Sequence, residues 1–195
     1  MYASLVTGVV KPDKIDEASG IYRDRIIPLA REYPGFIGVY ALTDRASGHG
    51  LTIALYETED AARRVETSGQ FREAVAAFGE VLAGPPTRAV RAVVYHDQRG
   101  QARYARVTEA DLAPEQAARL GEDTAMPEAA ARQLGYAGFL VAVDRASGKL
   151  TGISFWESLE ALEASEQGYY RRAMAEAASQ FGQPRRSVYE VTAQA

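Results

Sequence analysis

The 195-residue sequence contains no cysteine. That excludes a disulfide frame, a thiolate nucleophile and a cysteine-ligated metal. Lysine is scarce: 3 of the 22 basic residues are lysine, and the arginines are scattered rather than blocked. With a net charge of -4 and a pI near 5.3, the chain lacks the basic stripe that a nucleic-acid partner requires. No apolar run reaches the roughly 18 residues of a membrane span, so no membrane partner is expected. The start, MYASLVTGVVKPDK, has neither the basic nor the long apolar segment of a secretory leader. The expected location is cytoplasmic. His49 and His96 are the only histidines, too few for a metal cluster. Each is read as a solvated surface residue, and no metal is expected. No Ser-His-Asp set, phosphate loop or dinucleotide fingerprint is present.

What the sequence does contain is a repeat. Asp44-Arg45-Ala46-Ser47-Gly48 returns as Asp144-Arg145-Ala146-Ser147-Gly148. Around it, GFIGVYALTDRASGHGLTIALYETEDAA (35–62) lies over GYAGFLVAVDRASGKLTGISFWESLEAL (135–162) without a gap. Ten of these 28 positions are identical, where ordinary residue frequencies give about two. Pro28 answers Pro127, and Pro86 answers Pro184. The chain is read as two tandem units, residues 1–96 and 101–195, joined by the polar stretch HDQRGQ.

Each unit repeats one order of elements. A β-rich run comes first, SLVTGVV or ARYARVT. A helix follows, Asp13 to Glu32 or Pro114 to Gln133, with Ile15, Ala18, Tyr22, Ile26 and Leu29 at helical spacing in the first copy. Pro28 and Pro127 are expected to kink these helices. Next comes a hairpin, FIGVYALT to LTIALYE or YAGFLVAV to TGISFWE, with DRASG as its turn. Asp can bond the backbone two residues on, and Gly supplies a left-handed residue. A helix broken near Gly69 or Gly168 and a last strand, RAVRAVVY or RSVYEVTA, complete the unit. The order β-α-β-β-α-β is the split-βαβ, or ferredoxin-like, unit, and the fold class is α+β.

Strand alternation sorts the hairpin residues into faces. With an unbulged, even-sum register, Gly38 and Tyr40 share a face with Ala54 and Tyr56. Their counterparts are Gly138, Leu140, Ser154 and Trp156. Leu51, Ile53 and Leu55, or Thr151, Ile153 and Phe155, take the opposite, bulkier face. Small residues beneath an aromatic leave room for a flat ligand; they equally allow helices to dock closely. Glu57 and Glu157 follow the aromatic in both copies, as charges at a helix start.

At GF.G...L.DR.SG....I.LYE and GY.G...V.DR.SG....I.FWES.EA, the chain resembles the antibiotic biosynthesis monooxygenase (ABM) family of dimeric α/β barrels. MPEAAARQL and YYRRAMAEAA fit the same pattern. The resemblance implies two ferredoxin-like units packed sheet on sheet into a barrel. Here both would lie in one chain, as an intramolecular pseudo-dimer capable of further self-association. In such a barrel the bulky face fills the interior, and the small-residue face looks toward its own helices and the ligand cleft. The family includes cofactor-independent oxygenases of electron-rich polycyclic phenols, haem-degrading enzymes and members without known activity. Haem degradation is disfavoured. Trp156 stands where haem-degrading relatives place a Trp, but Ser165 and Glu166 occupy the region of their axial His, and Thr7 and Arg106 that of their Asn.

The resemblance thus leaves Trp156, Tyr169, Tyr170 and Arg171, with Arg172, as candidates to shape and polarise a site in the second unit. Tyr can donate a hydrogen bond to a phenolate or peroxide oxygen, and Arg can stabilise an oxyanion. An aromatic anchor with a solvated Arg pair accounts for the same residues. The expected function is that of a monooxygenase acting on an aromatic or polyketide-like substrate without any cofactor. The alternative is a non-catalytic small-molecule-binding or stress-related barrel.

Overall fold

The computed structural model describes residues 1–65, 68–121, 128–172, 174–175 and 183–195, without the side chains of residues 70, 74, 128, 129 and 169. The chain forms two compact units: Met1–Arg91 with Glu190–Ala195, and Ala92–Tyr189. Among the described residues eight strands carry both units, and their hydrogen-bonded order closes into a barrel.

In the first unit β1 (Tyr2–Val9) and β2 (Phe36–Thr43) flank β3 (His49–Tyr56), both antiparallel to it. The expected long helix is present in three parts. They are α1 (Ile15–Ile21), a π-helical turn (Tyr22–Ile26) and α2 (Ile27–Arg31). Pro28 has no N–H to continue the ladder. The bonding slips there, and the Ile27 N–H reaches back to the Tyr22 carbonyl. After β3 come α3 (Glu59–Arg64) and α4 (Gly69–Ala76). The break expected near Gly69 is a helix start: the Ser68 hydroxyl accepts from the Phe71 N–H at 3.1 Å. β4 (Thr87–Gln98) runs on into the second unit.

The second unit places β7 (Lys149–Trp156) between β5 (Tyr104–Asp111) and β6 (Tyr136–Val143). Its register matches that of the first unit, with Tyr104 opposite Trp156 as Tyr2 is opposite Tyr56. The first helix differs from expectation. α5 (Pro114–Arg119) ends at Leu120, which is extended, and Gly121 takes φ +109°. α6 (Glu128–Ala131) follows; Pro127 lies outside the described residues. α7 (Leu159–Ser165) continues into a second π-helical turn, Glu166–Tyr170, so Gly168 deforms the helix instead of ending it. β8 (Arg185–Gln194) returns to the first unit for its last residues. No helix among the described residues is long and apolar enough to cross a membrane.

The two DRASG segments make the same turn. Asp44 Oδ1 accepts from the Ala46 N–H and Asp144 Oδ1 from the Ala146 N–H, each at 2.9 Å. The Ser47 hydroxyl and the Ala46 N–H hold the Asp44 carboxyl below its ordinary pKa. Gly48 and Gly148 both take φ +74°. A β-carbon on Gly48 would fall 2.1 Å from the Val10 carbonyl oxygen.

Candidate functional site

Residues directly opposed in an antiparallel pair share a face of the sheet. Ala54 opposes Ser4 on one side and Val39 on the other; Thr52 opposes Val6 and Ala41; Gly50 opposes Gly8 and Thr43. One face of the first sheet is therefore small and weakly polar from edge to edge. β2 departs from the expected alternation. The register slips between Phe36 and Gly38, so Gly38 pairs with Leu55 and Tyr40 with Ile53. One extra residue in a bulge reverses every side chain beyond it. Gly138 pairs with Phe155 and Leu140 with Ile153 after the equivalent slip. Gly38, Tyr40, Gly138 and Leu140 thus lie off the face that carries Ala54 and Tyr56, or Ser154 and Trp156. The two glycines serve close backbone approach. A β-carbon would lie 2.9 Å from the Ala195 oxygen at Gly38 and 2.6 Å from the Asp97 oxygen at Gly138.

Over the small-residue face of the first unit lies a cavity of about 330 Å³. Ala18, Tyr22 and Ile26 approach it from the first helix, and Phe71, Val75 and Phe78 from the α4 region. Tyr56 closes it from β3. The walls are mostly apolar, as in small-molecule sites generally. Their polar groups include Arg72 and Arg88 and the hydroxyls of Tyr22, Thr52, Ser19 and Ser4. The Tyr22 hydroxyl is hydrogen-bonded to the Thr52 hydroxyl. Burial pushes the Tyr22 phenol above its ordinary pKa, against the opposing pull of that bond. The phenol therefore keeps its proton at neutral pH and can donate it. The Ser19 hydroxyl is spent on the Ile15 carbonyl at 2.8 Å. The Ser4 side chain is 1% exposed and its Oγ has no hydrogen-bond partner. π turns recur at functional sites, and the one in this unit begins at Tyr22.

At the corresponding place the second unit carries a packed cluster. Arg106 occupies the strand position equivalent to Ser4, opposite Ser154. It is 1% exposed, and its Nη2 donates to the Leu162 carbonyl at 2.6 Å and to Ser165 Oγ at 2.9 Å. Its guanidinium lies 3.9 Å from the Tyr170 ring centroid and 5.7 Å from that of Trp156. Burial pulls its pKa below the ordinary guanidinium value, opposed by Tyr170 and Glu166. Trp156 is fully buried and donates Nε1–H to Ser154 Oγ at 3.0 Å. Tyr170 shares a hydrogen bond with Thr108 at 3.0 Å.

Trp156, Ser154 and Tyr170 are therefore brought together, around Arg106. Arg171 is exposed and donates to the Gln167 carbonyl one turn back, away from them; the Tyr169 side chain lies outside the described residues. The register also pairs Thr7 with Leu51 and Arg106 with Ser154, so these two are not equivalent positions. His96 is half-buried with an unpartnered Nε2, not solvated. Among the described residues no His, Asp and Glu side chains gather into a group that could hold a metal ion.

Tyr22, Thr52 and Ser4 were not singled out by the sequence as site residues. Tyr22 sat among the apolar positions of a helix. The available signal was the alternation of Gly50, Thr52 and Ala54 on β3, which marks one face of the strand as small.

Residues 1–77 match the family model for antibiotic biosynthesis monooxygenase, ABM. No curated protein matches the chain. Among solved structures, a candidate monooxygenase from Fusobacterium nucleatum aligns with a TM-score of 0.80 at 15% identity, over 99% of this chain and 93% of that one. An anthrone oxidase-like protein aligns at 0.67 and 16% identity, over 100% and 92%. LmHde, a haem-degrading enzyme from Listeria monocytogenes, aligns at 0.55 and 11% identity, over 98% and 99%. Residues 1–77 are thus similar to the antibiotic biosynthesis monooxygenase family, and the whole chain shares the fold of these solved structures.

Proposed function

We propose that the first unit houses a cofactor-independent monooxygenase site. Its substrate is a flat aromatic compound carrying an acidic C–H, and it binds over the small-residue face beside Tyr22. The observation that carries this reading is a mostly apolar cavity of about 330 Å³ into which half-buried Tyr22 brings a hydroxyl held by Thr52. That volume lies at the lower end for small-molecule sites and suits about two or three fused rings. The name of the anthrone oxidase-like structural neighbour points to the same substrate class.

The reaction balances without a cofactor. An activated methylene and one O₂ give a ketone and one water. The substrate carbanion supplies the electrons, a C–O bond forms, and the O–O bond breaks as the second oxygen leaves as water. Among the described residues lining the cavity there is no carboxylate or imidazole, so the first proton passes to solvent. Tyr22 Oη, kept protonated by burial, donates a hydrogen bond to the developing peroxide, and Thr52 fixes its direction.

Oxygen uptake with anthrone is the test. Consumption should exceed autoxidation and match the anthraquinone formed. Tyr22→Phe should lower kcat by about 100-fold, the usual loss for one oxyanion donor. Trp156→Phe, in the second unit, should leave the rate unchanged. A lining without a base also suits a protein that binds and does not react. Tight binding of anthrone-like compounds with no uptake above background would establish that second reading.

A further inference from the structure

The cavity wall carries charge that the oxygenase reading does not use. Arg72, exposed on α4, and Arg88, half-buried on β4, both line it. The described lining contains no Asp or Glu, although the chain as a whole is acidic, at -4. Arg88 is anchored to the sheet and braced against α3, with Nη2 donating to the Ala62 carbonyl at 3.3 Å. Ser4 projects from the same face as Ala54, and its buried Oγ lacks a partner. A buried hydroxyl left alone is costly, and in native proteins such groups are normally satisfied. A cationic, otherwise apolar wall with a waiting hydroxyl is built to receive an oxyanion.

We propose that the ligand of this cavity is an aromatic acid, present as its anion. Its flat body lies over the small-residue face. Its carboxylate is met by the arginines, and Ser4 Oγ donates to it. The inference rests on the cavity being the ligand site and adds what that site selects.

Two probes of equal ring size separate the possibilities: anthracene-9-carboxylate and 9-anthracenemethanol, titrated by their own fluorescence near neutral pH. The carboxylate should bind about tenfold tighter, the scale of a hydrogen bond to a charged group. Arg72→Gln should cut this preference by about threefold or more, Arg88→Gln likewise, and Arg72→Lys should retain it. Ser4→Ala should weaken the carboxylate by about threefold and leave the alcohol alone. Circular dichroism verifies the fold of each variant. Arg72 is exposed, so Arg72→Gln carries the test even if Arg88→Gln fails to fold. Equal affinity for the two probes, or an undiminished preference in Arg72→Gln, overturns the proposal. If the alcohol binds and Tyr22-dependent oxygen uptake persists, the oxygenase reading survives that failure. If neither probe binds the wild-type protein, both fall.

Discussion

Gly38 sits in the bulge of β2, where its neighbour across the sheet is the Ala195 carbonyl, 2.9 Å from the place a β-carbon would occupy. Gly38→Ala should cost about 1–3 kcal/mol, the usual range for forcing extra volume into packed structure. Gly69 is the contrast: it is helical and has nothing within 4 Å of such a carbon. Gly69→Ala should be neutral or stabilise by about 0.5–1 kcal/mol. Urea denaturation of the two variants side by side checks both. At this scale the sequence was a partial guide. It marked Gly38 as small but could not reveal the bulge that decides where it points. It marked Tyr22 as part of an amphipathic helix but not that its hydroxyl meets Thr52, because that contact joins residues 30 apart. Tyr56, by contrast, was placed on the same face as Ala54 from strand alternation alone.

β1 and β5 present the same strand position with opposite contents, Ser4 and Arg106. Arg106→Ala removes a buried cation from Leu162, Ser165, Glu166 and two aromatic rings. It should cost about 2–5 kcal/mol, as emptying the place of a long, fully buried side chain does. It should also shift Trp156 emission to the red as water reaches the ring. Ser4→Ala deletes a hydroxyl with no partner, so global stability should hold or rise slightly. Thermal melts and the emission of the single tryptophan report on these two variants. Element order, hairpins and turns were legible beforehand because local chemistry governs them: Asp44 bonds its own turn, and Gly48 takes its positive φ. Pro28 flagged an irregular helix. Its form, a π turn that carries Tyr22, depends on how the ladder slips and not on the residue's identity. Likewise, that an arginine would lie against Trp156 followed from strand register, which alternation alone leaves undetermined.

Across the whole molecule, His96 makes stability depend on pH. Burial lowers its pKa below 6.5, with Asp97 pulling the other way. The unfolded chain therefore binds this proton more readily than the folded one. The contribution is complete above the unfolded value and is lost as pH falls through the folded one. Unfolding free energy should drop between about pH 7 and 5.5, and His96→Gln should flatten that slope; denaturant titrations at the two ends measure it. Residues 190–195 matter in another way, because they belong to the first unit. Ala41 pairs with Ala193, Ala195 exchanges hydrogen bonds with Val39, and Thr192 lines the cavity. Deleting them should weaken probe binding and destabilise the first unit, read by titration and by protease sensitivity of its strands. During translation this splits the order of synthesis from the order of assembly. Residues 1–77 emerge first, yet β2 keeps an unpaired edge until residues 92–189 have been made and the end of β8 arrives. A ribosome that stalls in that interval displays a bare, β-rich edge, the kind of surface that nascent-chain chaperones shield and that neighbouring chains on a polysome can capture.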